Sequence, residues 1–307
     1  MSEMVTARTI DNRQVPREFR FGISVVPVAD AHETIVEQVL AAERGGLDLV
    51  GIQDHPYQRR FLDTFALIAD LLARTSRIRI FPDVANLPMR GPAMIAKAAV
   101  SLDVMSGGRF ELGLGAGGFW DAVAGMGGPR RTGREAAQAL EESVSIIRDA
   151  LDVGPERRVV RSEGSIYPIP GYPPGPPPAH RIEIWVGAYQ PRGLRLIGRV
   201  ADGWVPSMGR VSLDQLRDSS RIIDEAAQEA GRAPADIRRI YNIGGVISDG
   251  GGEGVIVGPP RQSIDTLVAW ATDPGIDSFI FWPTADELAQ VERFAAEVVP
   301  AVHEALA

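Results

Sequence analysis

Residues 77–120 read RIRIFPDVANLPMRGPAMIAKAAVSLDVMSGGRFELGLGAGGFW, and this stretch decides the fold. It opens with β-branched and aromatic types at residues 78–81, which favour a buried strand. Pro92 suits the first turn of a helix, and Gly107 follows where that helix ends. A second short strand is predicted at residues 110–114. A strand, a crossover helix and another strand of this length predict a right-handed βαβ unit with parallel strands.

The helix in this stretch has a regular apolar pattern. Met94, Ile95, Ala98, Leu102 and Met105 recur at steps of three and four residues. This spacing predicts that one face of the helix is apolar. The strand after the helix then runs directly into a glycine-rich exit, GLGAGG.

Outside this unit, six further segments have the length and composition of short strands. They are residues 19–27, 47–52, 182–186, 203–205, 239–247 and 277–282. Helical periodicity is found at residues 34–44, 64–72, 133–151, 193–200, 213–230, 262–271 and 287–306. Eight strands in a strand–helix rhythm predict the α/β class and a (β/α)8 TIM barrel. A doubly wound open sheet is disfavoured because no early GxGxxG turn is followed by an acidic partner.

One barrel domain is expected over residues 19–307, after a flexible polar segment at residues 1–18. After the long helix that follows strand 4, residues 157–178 interrupt the alternation of strands and helices and form an insertion. Within it, residues 159–160 and 165–167 can pair as a short hairpin. The run GYPPGPPPAH should be extended without ladder hydrogen bonds. A long irregular loop of this kind is usually functional, and we expect it to fold over the barrel mouth.

Composition narrows the function. The 307 residues carry a formal net charge of −8, which argues against general binding to nucleic acid or to an anionic membrane. Cysteine is absent, so disulfides and thiolate chemistry are excluded. The first residues lack the apolar core of a signal peptide, and no apolar run has membrane-spanning length, so we expect a cytoplasmic protein.

Several catalytic classes lack their sequence signals. No HExxH, GxSxG or Walker sequence is present, so metalloprotease, serine hydrolase and P-loop functions have no support. Lys97 is the only lysine, and its place on the crossover helix argues against imine chemistry. No metal site is expected, and a barrel lyase or aldolase is disfavoured.

In barrels of this kind the active site lies at the carboxyl ends of the strands. Applied to the predicted strands, this rule gathers one set of residues around a common mouth. The set is Ser24, Asp54, His55, Asp83, Val84, Ala85, Asn86, Gly115, Ala116, Gly117, Gly118, Gly187, Ala188, Tyr189, Gln190, Ser207 and Trp282.

His55 is the sharpest catalytic candidate. Of the four histidines, two fall on predicted helices and one in the proline-rich insertion, whereas His55 directly follows a strand. A side chain with a near-neutral pKa at this position can serve acid–base chemistry. The alternative is a structural histidine whose hydrogen bonds close the loop. Asp54 can orient His55, or it can form an Asx turn before Pro56.

Two loops can approach a flat ring or a phosphate. The glycine-rich residues 115–118 let the backbone come close without interference from larger side chains. Residues 187–190 precede a helix, so their free amides can hold a phosphate, and Arg192 can add a contact. The alternative for this second loop is a plain strand-to-helix turn that is capped by its own residues.

A family resemblance is carried by several of these segments. The run LDVMSGGRFELGLGAG at residues 102–117 resembles the luciferase-like flavin and deazaflavin oxidoreductases, whose pattern here is roughly LDxxSGGRxxLGxGxG. The resemblance extends to QDH at residues 53–55, NLPMRGP at 86–92, ADGW at 201–204 and VGPP at 257–260. Each motif alone is weak, but the ordered set covers nearly the whole chain.

The resemblance implies a hydride-transfer oxidoreductase that holds a flavin-type ring in the barrel mouth. Deazaflavin-dependent members carry an Asp-His pair beside the ring, and Asp54-His55 matches it, which favours F420. Many flavin-dependent members carry Glu-His instead. The deazaflavin enzymes also have a bulge with a non-proline cis peptide, which here would join Asp83 to Val84. A member that acts on a sugar phosphate has a catalytic acid where this chain has Gly118, so that substrate is disfavoured and the proton donor is unassigned.

On this basis we expect His55 and Asp54 to be catalytic, F420 to be the cofactor and the substrate to be a small organic molecule. The expected cofactor contacts are Ser24, Asp54, His55, Asp83, Val84, Asn86, Gly115, Ala116, Gly117, Gly118, Gly187, Ala188 and Gln190. The family also implies a homodimer. Two alternatives remain: a monooxygenase that uses reduced FMN and oxygen, and a catalytically silent barrel that only binds the cofactor.

Charged and aromatic side chains add further candidates. Two arginine pairs can grip an anionic cofactor tail, although such pairs are more often solvated surface. They are Arg59-Arg60 and Arg130-Arg131. Phe119, Trp120 and Trp282 can line an apolar substrate pocket. Trp204 follows Ala-Asp-Gly in a short strand and is expected in the core.

Overall fold

The computed structural model describes residues 18–154, 159–252 and 254–307. Most of the expected flexible segment (residues 1–17) and the start of the expected insertion (residues 157–158) lie outside the described residues. The strands are β1 (Arg20–Val25), β2 (Leu49–Ile52), β3 (Arg79–Pro82), β4 (Ala85–Asn86), β5 (Leu112–Gly115), β6 (Val160–Glu163), β7 (Pro168–Tyr172), β8 (Ile184–Gly187), β9 (Gly203–Trp204), β10 (Arg238–Ile247), β11 (Val257–Gly258) and β12 (Ser278–Pro283). The helices are α1 (His32–Arg44), α2 (Thr64–Arg74), α3 (Pro92–Ser106), α4 (Trp120–Gly125), α5 (Gly133–Leu151), α6 (Pro191–Val200), α7 (Leu213–Glu229), α8 (Pro260–Thr272), α9 (Glu287–Arg293) and α10 (Val299–Leu306).

Eight parallel strands close a barrel in the described part of the chain. Their hydrogen-bonded order is β3, β2, β1, β12, β10, β9, β8, β5 and β4. β3 and β4 are two halves of one interrupted strand, since β3 pairs with β2 and β4 pairs with β5. A parallel bridge between Ile80 and Phe110 joins β3 to the entry of β5 and completes the ring. The predicted (β/α)8 TIM barrel is confirmed, and the open sheet is wrong.

Apolar side chains fill the barrel, so its interior is a packed core and not a channel. Strands on all sides contribute buried side chains to this interior cluster. Its members are Leu49, Phe81, Trp185, Val205, Ile240 and Ile280. Phe81 and Trp185 pack edge to face, with ring centroids 4.8 Å apart, a geometry that aromatic pairs prefer. Full burial of each such side chain contributes about 1.5–3 kcal/mol to the stability of the fold. Because this interior cluster fills the middle of the barrel, a ligand can bind only at an end of the barrel.

Helices surround the barrel, and their ends follow signals in the sequence. Asp63 accepts the backbone N–H of Ala66 and caps α2. Thr132 and Glu135 form a reciprocal capping box at the start of α5. Gly107 ends α3 with φ 69°, a left-handed conformation that glycine adopts without a steric penalty. Every helix in the described ranges is too short or too polar to cross a lipid bilayer.

A charged cluster lies at the end of the barrel where the strands begin. His180 sits between two carboxylates, with Nδ1 2.5 Å from Asp103 Oδ1 and Nε2 3.1 Å from Glu111 Oε1. Arg79 donates to the same oxygen of Glu111 over 2.6 Å. Asp103 and Glu111 are almost fully buried, so they depend on these partners. Burial is the largest influence on His180 and lowers its pKa, but Glu111 and Asp103 together outweigh burial and raise the pKa.

We expect the stability of the protein to depend on pH through His180. Because the folded state raises the pKa of His180 above its ordinary value of about 6.5, the imidazolium stabilises the fold fully below about pH 6.5. This contribution is lost as the pH rises through the raised pKa. The difference in free energy of unfolding between wild type and His180→Gln, measured by urea denaturation, should therefore be largest in mild acid and should shrink in alkali.

A matched control for this experiment is His32→Gln. It removes a partly exposed pair between His32 and Asp70 and leaves the His180 cluster intact. Because a partly exposed pair contributes at most about 1 kcal/mol, this control should change the stability little at any pH. A stability difference for His180→Gln that does not change with pH would show that the imidazolium is not what holds the two carboxylates.

The insertion forms a hairpin of β6 and β7, which confirms that a hairpin is present but not which residues pair in it. Its second strand lies at Pro168–Tyr172, however, and not at residues 165–167. Glu142 of α5 explains the shift, because its carboxylate accepts the backbone N–H groups of all three of those residues. The proline-rich run is also not free of ladder contacts, since Tyr172 pairs with Val160. Tyr167 reaches the carbonyl of Leu87, which follows β4, so this end of the insertion lies near the barrel mouth.

Other predicted features differ in detail. Ile95 and Leu102 of α3 are buried, but Met94 and Met105 are 68% and 70% exposed, so part of the apolar face meets solvent. The predicted helix at residues 287–306 is confirmed as one helical run, in which a π-helical turn, Phe294–Val298, lies between α9 and α10. Pro300, in the first turn of α10, has no N–H to donate, and the wider π turn lies directly before it.

Candidate active site

Most of the predicted site residues meet at one end of the barrel. The N–H of Asn86 donates to Asp54 Oδ2 over 2.9 Å and ties the loop after β2 to β4. Asn86 pairs with Gly115 in the sheet, and Gly115 pairs with Gly187. Ser24 lies one residue before the end of β1. The carboxyl ends of these strands therefore surround a common mouth, as the barrel rule predicts.

His55 lies at this mouth among aromatic rings. Its Nδ1 is 2.8 Å from the hydroxyl oxygen of Tyr57. The ring centroids of Tyr57 and Phe119 are each 5.6 Å from that of His55, and Phe119 meets the imidazole edge on. Sequence reasoning did not identify Tyr57, although its phenol stands only two residues after His55.

The surroundings keep His55 neutral near pH 7. Burial is the largest influence and lowers the pKa of His55; the carboxylate of Asp54 opposes this, and the charge of Arg210 lowers the pKa further. Burial and Asp54 also raise the pKa of Tyr57, so the phenol stays protonated. Nδ1 is engaged by Tyr57, and Nε2 forms no hydrogen bond with the described residues. Nε2 is therefore the nitrogen that a reacting group can reach.

Asp54 is held by Arg90. The aspartate is only 2% exposed, and Arg90 Nε and Nη2 lie 3.2 and 3.3 Å from its two oxygens. Arg90 also pairs with Asp63, the cap of α2. Asp54 therefore fixes the loops beside His55 and acts on the imidazole through its charge. Arg90 was missed from the sequence, although it lies inside the NLPMRGP motif that carries the resemblance.

The predicted cis peptide between Asp83 and Val84 is confirmed. Val84 packs over the ends of β5 and β8. A Cβ atom built on Gly115 would lie 2.6 Å from a Val84 methyl, and one on Gly187 would lie 3.3 Å from it. Packing against Val84 therefore requires glycine at position 115 and favours it at position 187, whether or not a ligand contacts these residues.

Asp83 extends across the floor of the mouth. Its N–H donates to the carbonyl of Ile52 over 2.7 Å, and its side chain lies over Gly51, where an added Cβ would be 3.0 Å from Oδ2. Asn242 of β10 acts on the pKa of this carboxyl group, and its Nδ2 donates to Ser207 Oγ over 3.2 Å. Burial raises the pKa of Asp83 to about 7, against the opposing effect of the Asn242 hydrogen bond. Asn242 was not identified from the sequence, since nothing in its strand marks it.

The glycine-rich exit of β5 combines a tight contact with open space. Gly117 packs so closely on Pro88 that a Cβ atom would lie 2.3 Å from Pro88 Cγ. No described atom comes within 4 Å of a Cβ built on Gly118, which follows Ala116 and Gly117. Phe119 has φ 52° and is 60% exposed. A left-handed backbone conformation costs a non-glycine residue about 1–3 kcal/mol. The contacts of the surrounding loop must therefore hold Phe119 in this conformation, with its ring beside His55.

The loop from Gly187 to α6 keeps its predicted place at the mouth. The carbonyl of Ala188 accepts the indole N–H of Trp204 over 2.8 Å, which fixes the loop to the core. Gln190 begins α6 without a side-chain cap, and it is exposed. The free N–H groups at the N-terminus of α6 can bind an anion, because no side chain caps them. This geometry agrees with a phosphate at residues 187–190, which stays a prediction.

The predicted arginines are mostly engaged by protein groups. Four of them pair as Arg60 with Asp30, Arg130 with Asp121, Arg131 with Tyr167 and Arg192 with Glu141. Trp204 is fully buried, as expected, whereas Trp282 is 42% exposed beside the end of β12. These positions leave Phe119 and Trp282 as aromatic surface at the carboxyl ends of the strands.

The donor set of the mouth fits a flavin-type ring. Among the described residues, Asn86 Oδ1 and Asn242 Oδ1 are buried without a hydrogen-bond partner. Buried amides of this kind require a partner, and the N–H and carbonyl groups of a heteroaromatic ring can provide one. No described atom lies within 4 Å of a Cβ built on Gly118, so this part of the loop does not block the ring. By contrast, no group of three or more acidic or histidine side chains in the described residues could hold a metal ion.

Comparison with known proteins places the chain in one family. Residues 19–250 match the family described as luciferase-like monooxygenase. An uncharacterized protein of Mycobacterium tuberculosis (strain ATCC 25618 / H37Rv) is 30% identical over 249 residues, 79% of each chain. An F420-dependent glucose-6-phosphate dehydrogenase of Kribbella flavida is 28% identical over 215 residues, 68% of this chain and 63% of that protein.

A solved structure gives the same fold. The F420-dependent secondary alcohol dehydrogenase in complex with an F420-acetone adduct superimposes with a TM-score of 0.82 at 18% identity, over 93% of this chain and 99% of that chain. The family match spans the barrel from β1 into the loop after β10, so it includes His55, Asp83 and the glycine-rich exit. The chain therefore belongs to the luciferase-like monooxygenase family, a class of flavin- and F420-dependent oxidoreductases.

Proposed function

We propose that this protein is an F420-dependent oxidoreductase that transfers hydride between the cofactor ring and a small, uncharged organic substrate. The observation that carries the proposal is the state of His55: neutral, anchored through Nδ1, and open at Nε2 in the barrel mouth. The Asp54-His55 pair and the similarity to an F420-dependent dehydrogenase support F420 over FMN.

The chemistry divides between the cofactor and the protein. When bound, F420 supplies a ring that accepts or gives a hydride. His55 Nε2 takes the proton of a substrate hydroxyl, or returns it to a carbonyl oxygen in the reverse direction. Tyr57 fixes the imidazole through Nδ1, and the Asp54–Arg90 pair holds the loop that carries it. The exposed ring of Phe119 lies beside the imidazole, where it can screen the reacting groups from water.

The lining of the mouth favours an uncharged substrate. Gly118 contributes no side chain, and so no charge, to the mouth. Near the mouth, the charge of Arg130 is matched by Asp121. An apolar molecule with one hydroxyl or carbonyl group would pack on Phe119 and meet His55 with its oxygen.

Titration of the purified protein with F420 and, separately, with FMN tests the cofactor assignment. We expect F420 to bind with a micromolar Kd, seen as a change in its fluorescence, and FMN not to bind. FMN binding without F420 binding would overturn the proposal in favour of a monooxygenase that uses reduced flavin and oxygen. Binding of F420 with no turnover of any alcohol or ketone in a broad panel would overturn it in favour of a silent, cofactor-binding barrel.

We also propose that the protein is a cytoplasmic homodimer with α3 in its interface. Met94, Val104 and Met105 are large apolar side chains on α3 that are exposed, and they form a patch that a second copy can cover. Light scattering should give twice the 33.1 kDa chain mass. A monomer mass at micromolar concentration would contradict the dimer.

A further inference from the structure

One proton of the proposed reaction has no assigned carrier. Oxidation of an alcohol releases a hydride and a hydroxyl proton, and full reduction of the ring requires the hydride together with a proton on a ring nitrogen. His55 accounts for the hydroxyl proton. Gly118 has no side chain, and both oxygens of Asp54 are bonded to Arg90 or to the N–H of Asn86. The site therefore needs a second acidic group.

Asp83 is in the right place to be that group. It follows β3 directly, at the same end of the barrel as His55 and Gly115. Its backbone is anchored to Ile52, and its carboxyl group spans the floor of the mouth from Gly51 toward Asn242. Below it the lumen is packed with apolar side chains, and Asp83 itself is half-buried. Asp83 would therefore be one of the residues that contact a ring bound in the mouth.

No charged side chain among the described residues pairs with Asp83 from the elements around it. From the β2 end, Asp54 is bound to Arg90, and His55 is neutral. From β10, the group that faces Asp83 is the uncharged amide of Asn242, which is backed by Ser207. From β1, the nearest candidate is Ser24, which is uncharged. Arg210, beyond β9, lowers the pKa of His55 and is not among the groups that shift the pKa of Asp83. Burial without a neighbouring cation disfavours the carboxylate, so a proton is retained near pH 7.

We propose that Asp83 is the acid of this site and delivers the proton that accompanies the hydride to the cofactor ring; the inference rests on the proposed function. In the oxidation direction the substrate C–H bond breaks, and its hydrogen passes with both electrons to a ring carbon. The substrate O–H bond breaks, its proton goes to His55 Nε2, and a C=O bond forms. Asp83 gives its proton to a ring nitrogen. The site is left with an imidazolium and a carboxylate, which exchange protons with water.

The environments of the two groups are complementary. His55 is pushed toward its neutral form and can accept a proton, whereas Asp83 is pushed toward its protonated form and can donate one. Opposite shifts of two titratable groups in one cleft are the pattern by which a site provides both a base and an acid at the same pH.

The first test needs no cofactor. Infrared spectroscopy of the purified protein should show the C=O band of a protonated carboxyl group that disappears with a midpoint near pH 7, and Asp83→Asn should lack this band. Folding raises the pKa of Asp83 above its unfolded value of about 3.9. As the pH rises from about 4 to 7, the free energy of unfolding of wild type should therefore fall relative to that of Asp83→Asn. An ionised Asp83 throughout this range, with no such band, would overturn the proposal.

The second test uses turnover with F420. Asp83→Asn preserves the shape of the side chain but cannot donate this proton. We expect it to lower kcat by about 10²- to 10⁴-fold and to remove the fall in wild-type kcat/KM above pH 7. Asp83→Glu should restore part of the rate. Asp265→Asn, which changes an exposed carboxylate on α8, should behave as wild type. An Asp83→Asn enzyme with wild-type kcat and pH profile would overturn the proposal.

The two proposals fail in different ways. If F420 does not bind to wild type, the proposed function fails, while the infrared titration still reports the protonation of Asp83. If wild type binds and reduces F420 but Asp83→Asn does so equally well, the role of Asp83 fails and the proposed function stands.

Discussion

The His55→Ala variant is expected to turn over F420 about 10²- to 10⁴-fold more slowly than wild type, the range that a positioned acid–base group contributes. The reason is that Nε2 of His55 is open to the mouth, whereas Nδ1 is engaged by Tyr57. The affinity for F420 should change little, because the expected contacts of the ring are spread over several strand ends. Stopped-flow measurement of ring reduction, together with fluorescence titration, separates kcat from Kd.

Tyr57→Phe provides a matched comparison for His55→Ala. It keeps an aromatic ring beside His55 and Phe119 but removes the hydrogen bond to Nδ1. We expect a smaller loss of rate, since the imidazole is still present and only less firmly oriented. If His55→Ala retained wild-type kcat, or if Tyr57→Phe were the more damaging change, His55 would not be the group that exchanges the substrate proton.

Arg90→Met is expected to lower the free energy of unfolding by about 3–5 kcal/mol, the cost of leaving one member of a buried ion pair without its partner. Asp54 is almost fully buried, and Arg90 contacts both of its oxygens. The methionine preserves much of the packing of the arginine stem, including its position over the ring of Phe65. Urea denaturation followed by circular dichroism measures the effect.

Arg74→Met gives the surface equivalent. Arg74 pairs with Asp70 one turn away on α2, in an exposed geometry that contributes about 0.3–0.5 kcal/mol. The double variant Asp54→Asn/Arg90→Met should recover part of the loss caused by Arg90→Met, because no unpaired charge remains. A cost for Arg90→Met as small as that for Arg74→Met would mean that the Asp54–Arg90 pair does not hold the loops of the mouth together.

The barrel was predictable because its strands and helices carry strong local signals. Buried parallel strands are short apolar runs, and in this chain they are separated by glycine and proline at helix ends, as at Pro92 and Gly107. The ends of the strands then followed from the barrel rule, which brought His55, Asp83 and Gly115 to one mouth. The family resemblance added the cis peptide, which no local pattern indicates.

The missing parts of the site depend on contacts between segments that are distant in sequence. Arg90 lies 36 residues after Asp54, and Asn242 reaches Asp83 across the barrel. No periodicity or spacing in one sequence reports which buried polar groups will meet. The same limit explains Glu142, whose carboxylate draws residues 165–167 out of the predicted hairpin strand.

The exposed methionines of α3 show where an apolar pattern predicts too much burial. Ile95 and Leu102 face the core, but Met94 and Met105 lie at positions that no other described part of the chain covers. A three- and four-residue spacing identifies an apolar face and does not tell whether that face is covered by the same chain or by another one. The proposed dimer would cover it.

A crystal structure of the protein grown with F420 tests most directly whether the barrel mouth holds the redox ring beside His55. We expect the ring at the carboxyl ends of the strands, with a substrate or solvent oxygen within about 3–3.5 Å of His55 Nε2, a distance at which proton transfer can occur. F420 bound away from these strand ends, or a ring in the mouth that leaves His55 remote from its reactive edge, would contradict the central claim.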